Sequence, residues 1–197
     1  YLTTAARIYK YPFQEQLLIY AQRPDATACA SIEVWNSRKL NCWVNKGAKG
    51  IALIDEENSY TRLKYVFDVS DVHKARRIGR DPYLWELKQE QEQSVMKRLE
   101  HIYGETDAEK SFGDRLLEIA ESVTNDCYEE VAEDLLYLTD GSFLDGLDEY
   151  SLKVHLRETL RASISYTLLT RCGLDAEDYQ DSMNFDFIHE FNTVPVV

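Results

Sequence analysis

The sequence predicts an α+β fold, a small antiparallel sheet packed with N-terminal helices, followed by an all-α acidic helical region. Three observations predict it. Apolar residues recur at helical spacing near the N-terminus, short apolar runs punctuated by turn residues fill 28–68, and helical spacing returns beyond residue 81. Charge changes sign at the same place. Residues 1–80 hold 13 Lys/Arg against 8 Asp/Glu, whereas residues 81–197 hold 9 against 27, within a total of −13. The expected division is an α+β module over 1–72, a basic linker over 73–81 and an acidic helical domain over 82–197.

The first helical stretch runs from Thr3 to Tyr11, is broken at Pro12 and resumes over Phe13–Gln22. There Phe13, Leu17 and Tyr20 share a face, with Leu18 and Ala21 beside them. Pro12 suits a first helical turn, where a missing N–H loses no partner, and Arg23-Pro24-Asp25 stops the helix. Ala28–Ser31 reads as extended and Ile32–Asn36 as a short helical turn carrying Trp35. Trp43-Val44 leads into a turn at Asn45-Lys46-Gly47 and then into a strand over Gly50–Ile54. Asp55–Ser59 is expected as a hairpin loop and Tyr60–Asp68 as the return strand, with Leu63, Tyr65 and Phe67 alternating. So few strands are marginal alone, so helix 13–22 must cover them.

The acidic half reads as three amphipathic helices. These are Leu84–Tyr103 ending at Gly104, Phe112–Leu138 with Leu116, Ile119, Ala120, Val123, Val131, Leu135 and Leu138 at core spacing, and Leu152–Leu169 stopped by Gly173. Asp140–Gly146 is an acidic connector.

Composition excludes several classes. Apolar residues make up 44% and charged residues 29%, values of a globular chain. No apolar run approaches the ~20 residues of a membrane span, and no secretory leader pattern is present. Cys29, Cys42, Cys127 and Cys172 form no CxxC pair, which points first to a reduced, cytoplasmic chain, then to disulfides and last to a structural zinc site. Tyr1 at the start and Val-Pro-Val-Val at the end imply a piece of a longer protein.

The string Pro12-Phe13-Gln-Glu-Gln-Leu-Leu-Ile-Tyr-Ala-Gln22, then Ala26-Thr27, Trp35 and Val44-Asn45-Lys46-Gly47-Ala48-Lys49-Gly50-Ile51, resembles the N-terminal domain of ArdC-type anti-restriction proteins. Such domains occur in large proteins of conjugative and phage-like mobile elements. The resemblance covers about a third of the chain and implies a non-enzymatic domain that binds single-stranded DNA. The chain departs from the family where Pro12-Phe13-Gln14-Glu15 replaces Ser-Phe-x-Asn and Asn41-Cys42 replaces Gly-Arg. Both changes weaken the expected hold on phosphate. Some family members carry a downstream HExxH metalloprotease-like domain. Here His189-Glu190-Phe-Asn-Thr193 lacks the second histidine that a zinc grip at i, i+4 needs.

In the Lys46–Gly50 loop, Lys46 and Lys49 lie beside Gly47 and Gly50, so ammoniums and backbone N–H groups can approach a phosphate together. The same glycines would serve an ordinary turn with solvated lysines. Trp35, Trp43 and Tyr20 are candidate base-stacking platforms. Trp35 is expected chiefly in the core and Trp43 equally in either role. Arg38, Lys39, Arg62 and Lys64 would extend a basic face or stand as ordinary surface charges. The run His73-Lys74-Ala-Arg76-Arg77-Ile-Gly-Arg80 is equally suited to a nucleic-acid backbone or to the acidic half.

No nucleophile motif, P-loop, dinucleotide fingerprint, cofactor motif or metal spacing is present, and His73, His101, His155 and His189 are scattered. The carboxylates of the second half read as a solvated helix face. Alternatively they form an acidic surface that imitates DNA and occupies a host defence nuclease, either a restriction enzyme or a CRISPR effector. The expected partner is therefore single-stranded DNA or such a nuclease, with no membrane and no cofactor. Nothing in the sequence selects an oligomeric state.

Overall fold

In the computed structural model, residues 1–55, 62–74, 86–136, 139 and 144–191 are described, and the N-terminal helical signal resolves into α1 (Leu2–Arg7) and α2 (Phe13–Gln22). Pro12 is the residue before α2 rather than its first helical one. The buried stripe of α2 centres on Ile19, with Leu18 beside it. Phe13 and Tyr20 flank that stripe half-exposed and meet the Tyr1 ring edge-on.

Then come β1 (Cys29–Ala30), α3 (Ile32–Trp35), β2 (Cys42–Val44), β3 (Ile51–Ile54), β4 (Leu63–Asp68) and β5 (Val72–Lys74). The strands form two antiparallel sheets, β1-β4-β3 and β2-β5. In the β3–β4 ladder Ile51 faces Val66 and Leu53 faces Lys64, on the side that α2 covers. Ile8, Ile19, Ala26, Ile51, Leu53 and Val66 close that core. Leu63, Tyr65 and Phe67, which the sequence pattern singles out, occupy the opposite face, because side chains alternate along a strand.

Side chains occupy both edges of the three-stranded sheet. The Gln22 amide accepts from the Ala52 N–H at 2.9 Å and donates to the Ala52 carbonyl at 2.8 Å. On the other edge the Tyr11 hydroxyl donates to the Cys29 carbonyl at 2.8 Å. Asp68, 2% exposed at the end of β4, accepts from the N–H groups of Thr27, Ala28 and Ser70 and from the Ser70 hydroxyl. Burial alone would raise its carboxyl pKa, but these bonds outweigh burial and hold it below the usual range. Arg23 forks onto Asp71 with two bonds of 3.1 Å, tying the end of α2 to the turn before β5.

The chain divides into two compact units, Tyr1–Glu86 and Leu87–Val197. The expected basic linker begins inside a strand, since His73 and Lys74 belong to β5, and its remainder lies outside the described residues. In the second unit α4 (Glu92–Tyr103) starts well after the expected Leu84, and residues 86–88 are not helical. Gly104 ends α4 at φ +104. Helices α5 (Phe112–Leu136) and α6 (Glu149–Arg171) pack antiparallel. Met96, Leu116, Ile119 and Leu169 fill one end of the pair, and Ala132, Leu135, Leu144, Leu152 and Leu156 fill the other. Asp148 caps α6 by accepting from the N–H groups of Tyr150 and Ser151. Part of the expected acidic connector, 140–143, lies outside the described residues. No described helix is long and apolar enough to cross a membrane.

Candidate nucleic-acid interface

The Lys46–Gly50 loop is anchored at both ends. At its root the Asn45 N–H donates to the Asp71 carbonyl at 2.8 Å, and the Asn45 side chain meets His73 Nδ1 at 2.7 Å. The Ala48 N–H donates back to the Asn45 carbonyl at 3.0 Å, and Gly47 sits at φ +90. A type II turn requires this positive φ at its third position, and glycine reaches it without strain. Lys46 is therefore held at the second position of a rigid turn. At the far end a Cβ on Gly50 would lie 3.1 Å from Phe67 Cζ and from Tyr65 Cβ. The two glycines are thus explained by backbone geometry, Gly47 by the turn and Gly50 by rings lying over it.

Lys46 and Lys49 are exposed, and neither has a carboxylate partner among the described residues. The nearby Asp71 carboxylate is taken by Arg23. Trp43, 50% exposed on β2 opposite His73, precedes the turn by two residues. The structure thus brings Trp43, Lys46 and Lys49 onto one strand-and-turn element.

Trp35, Lys64 and Tyr20 are engaged elsewhere. Trp35 is 3% exposed and its indole N–H donates to the Phe67 carbonyl at 2.9 Å, so it is a core residue and offers no open ring face. Lys64 falls on the covered side of β4 with Val66, where it meets Glu15 of α2 at 2.7 Å; alternation places it there, not on an outer basic face. Tyr20 packs against Tyr1. Arg38 and Lys39 are exposed on the segment entering β2, and Arg62 is exposed at the hairpin end with φ +53. Of the basic run beyond β5, residues 75–80 lie outside the described residues.

Sequence reasoning missed Tyr65. The alternation of 63, 65 and 67 marks one face of the strand but not which face α2 covers. Tyr65 is 52% exposed and lies over Gly50, beside the loop. The signal that would have found it is Gly50 itself, a residue without a side chain opposite two aromatic rings.

No family model, curated protein or solved structure matches this chain.

The remaining titratable groups point to structure. Burial, with Asp68 nearby, pushes the Cys29 thiol up to about 12, and burial also raises Cys172. Both stay protonated and unreactive as nucleophiles at neutral pH. Glu190 bonds His155 Nδ1 at 2.7 Å, and His155 stacks on Phe187 at 3.7 Å between ring centroids. His189-Glu190 thus belongs to a contact that fastens the 3-10 segment Ile188–Phe191 to α6. No group of three or more potential metal ligands converges among the described residues.

Proposed function

We propose that the N-terminal unit binds single-stranded DNA without catalysing a reaction, as a cytoplasmic anti-restriction-type domain of a bacterial mobile element. One observation carries this reading. A half-exposed tryptophan stands two residues before a hydrogen-bonded turn that presents two lysines lacking a described carboxylate partner. Lysines supply salt-sensitive attraction to phosphates, and an open indole face stacks on any base. The resemblance of residues 12–51 to ArdC-type N-terminal domains supports the same ligand. Trp43, Lys46 and Lys49 form the centre of the site, and Arg38, Lys39 and Arg62 add attraction around it.

The test is a fluorescence-anisotropy titration with a labelled strand of about 30 nucleotides, longer than the stretch one stacking groove covers. The same duplex and two salt concentrations serve as comparisons. The expected result is salt-sensitive preference for the single strand. In Lys46→Ala/Lys49→Ala the slope of log affinity against log salt falls by about 1.4, at ~0.7 per lost contact. Absence of binding at low salt refutes the reading.

A second reading rests on the other unit. Asp126, Glu129, Glu130, Glu133 and Asp134 are all exposed on α5 at spacings of three and four, which places them in one stripe along the helix. Such a stripe suits an inhibitor that offers carboxylates in place of DNA phosphates to a restriction enzyme or CRISPR effector. It predicts that the chain slows cleavage by such an enzyme and that Glu129→Lys/Glu133→Lys abolishes the effect. Full-rate cleavage across a panel of these nucleases excludes it.

A further inference from the structure

The outer face of β3 and β4 is an apolar strip whose central side chains stay about half exposed. Ala52 lies opposite Tyr65 and Ile54 opposite Leu63, on the side away from α2. Tyr65, Leu63 and Ile54 remain 52%, 46% and 54% exposed. The strip begins where the Lys46–Lys49 turn joins β3 at Gly50, under the rings of Tyr65 and Phe67. It ends at Arg62, whose carbonyl accepts from the Asp55 N–H to close the described part of the hairpin. Cationic side chains therefore stand at both ends of an open apolar surface. From Tyr65 to Arg62 the strand rises about 10 Å, the length of roughly three stacked nucleotides.

The sheet edges narrow the choice of occupant. A peptide joining as an extra strand needs bare edge groups, and Gln22 and Tyr11 already hold Ala52 and the Cys29 carbonyl. What lies open is the face, suited to flat apolar groups carried on a chain of negative charges.

We infer that this face is a base-stacking track, with Tyr65 as the residue that selects single strands over duplex. The inference rests on the proposal that the Lys46–Lys49 turn grips a nucleic-acid backbone. Unpaired bases lie on Tyr65 and then on Leu63 and Ile54, while phosphates reach the lysines at one end and Arg62 at the other. In a duplex the base faces are covered by neighbouring pairs, so the track has nothing to hold.

The experiment uses the full chain and three ligands of equal length: a single strand, its duplex and a single strand lacking bases. Wild type binds the base-bearing strand most tightly. Tyr65→Ala weakens that binding roughly 5- to 150-fold, the equivalent of one lost stack, and leaves the abasic strand unaffected. Tyr65→Phe retains wild-type affinity. If Tyr65→Ala binds the base-bearing strand like wild type while Lys46→Ala/Lys49→Ala weakens it, the track is wrong and the loop stands. Equal wild-type affinity for abasic and base-bearing strands also overturns the track, and no binding to any ligand overturns both readings. Should Tyr65→Ala fail to fold, a strand carrying a photoactivatable base is crosslinked to wild type. Adducts at Ile54 or within residues 62–67 support the track, and adducts confined elsewhere refute it.

Discussion

Replacing Asp68 by alanine tests the claim that a buried carboxylate organises the first unit. Asp68 is 2% exposed and takes the N–H groups of Thr27 and Ala28 at 2.8 and 2.9 Å, together with the N–H and hydroxyl of Ser70. Ser70 is exposed and regains water when the carboxylate is removed. The two partly buried backbone donors do so less well, at about 1–3 kcal/mol each. The expected loss is therefore about 2–6 kcal/mol, a large part of the stability of an ordinary domain. Asp68→Asn costs less, because its amide oxygen still accepts from Thr27 and Ala28. Trp35 and Trp43 belong to the first unit and no tryptophan lies within Leu87–Val197, so indole emission during urea unfolding reports on the first unit. At a urea slope of about 2 kcal/mol per M, the midpoint should drop by roughly 1–3 M in Asp68→Ala. The pH dependence has a definite sign. The folded carboxyl lies below its unfolded value of about 4, so its contribution is complete above that value. It is lost as pH falls through the folded pKa, and Asp68→Ala should lack that acid-side decline. A midpoint equal to wild type at neutral pH would refute the argument.

Three further outcomes follow from the packing. Gly113→Ala places a Cβ against the ring and hydroxyl of Tyr179; it should destabilise the second unit by about 1–3 kcal/mol, read as helical circular dichroism on heating. The loss should disappear in a Tyr179→Ala background, where the overlap is gone. Trp35→Phe leaves the Phe67 carbonyl without its indole donor and should cost about 1–3 kcal/mol, with strand affinity unchanged in the protein that remains folded. Lys64→Ala removes an exposed partner of Glu15 and should cost less than about 1 kcal/mol. In anisotropy titrations it should shift DNA affinity by less than about twofold, in contrast to the Lys46/Lys49 pair.

The parts of this fold that the sequence discloses are those fixed by neighbouring residues. Gly104 and Gly173 mark the ends of α4 and α6 because a positive φ is a local demand, and the Asn45–Ala48 turn is legible for the same reason. What stays hidden depends on distant partners. Strand β5 is three residues long and exists by pairing with Cys42–Val44, about thirty positions earlier, so nothing within Val72-His73-Lys74 announces it. The start of α4 is displaced because charged, amphipathic spacing continues into residues whose backbone is not helical. At the candidate site, Trp43 and the two lysines emerge from spacing and turn chemistry. Lys64 lies on the side that α2 covers and Tyr65 on the open side, since alternation says which residues share a face but not which face a helix will cover.

The Gln22 amide has a consequence for life at high concentration. Its oxygen and nitrogen satisfy the donor and acceptor of Ala52 at once, and the same nitrogen also donates to the Leu18 carbonyl at 2.9 Å. One side chain thus stands in for a neighbouring strand one residue long, and does so from a helix that is already part of the core. A misfolded or newly made copy seeking to zip along β3 meets an Ala52 whose donor and acceptor are already engaged, which opposes edge-to-edge pairing there. Shortening this residue to alanine would leave the Trp43–Lys49 segment untouched yet bare the Ala52 donor and acceptor to another strand.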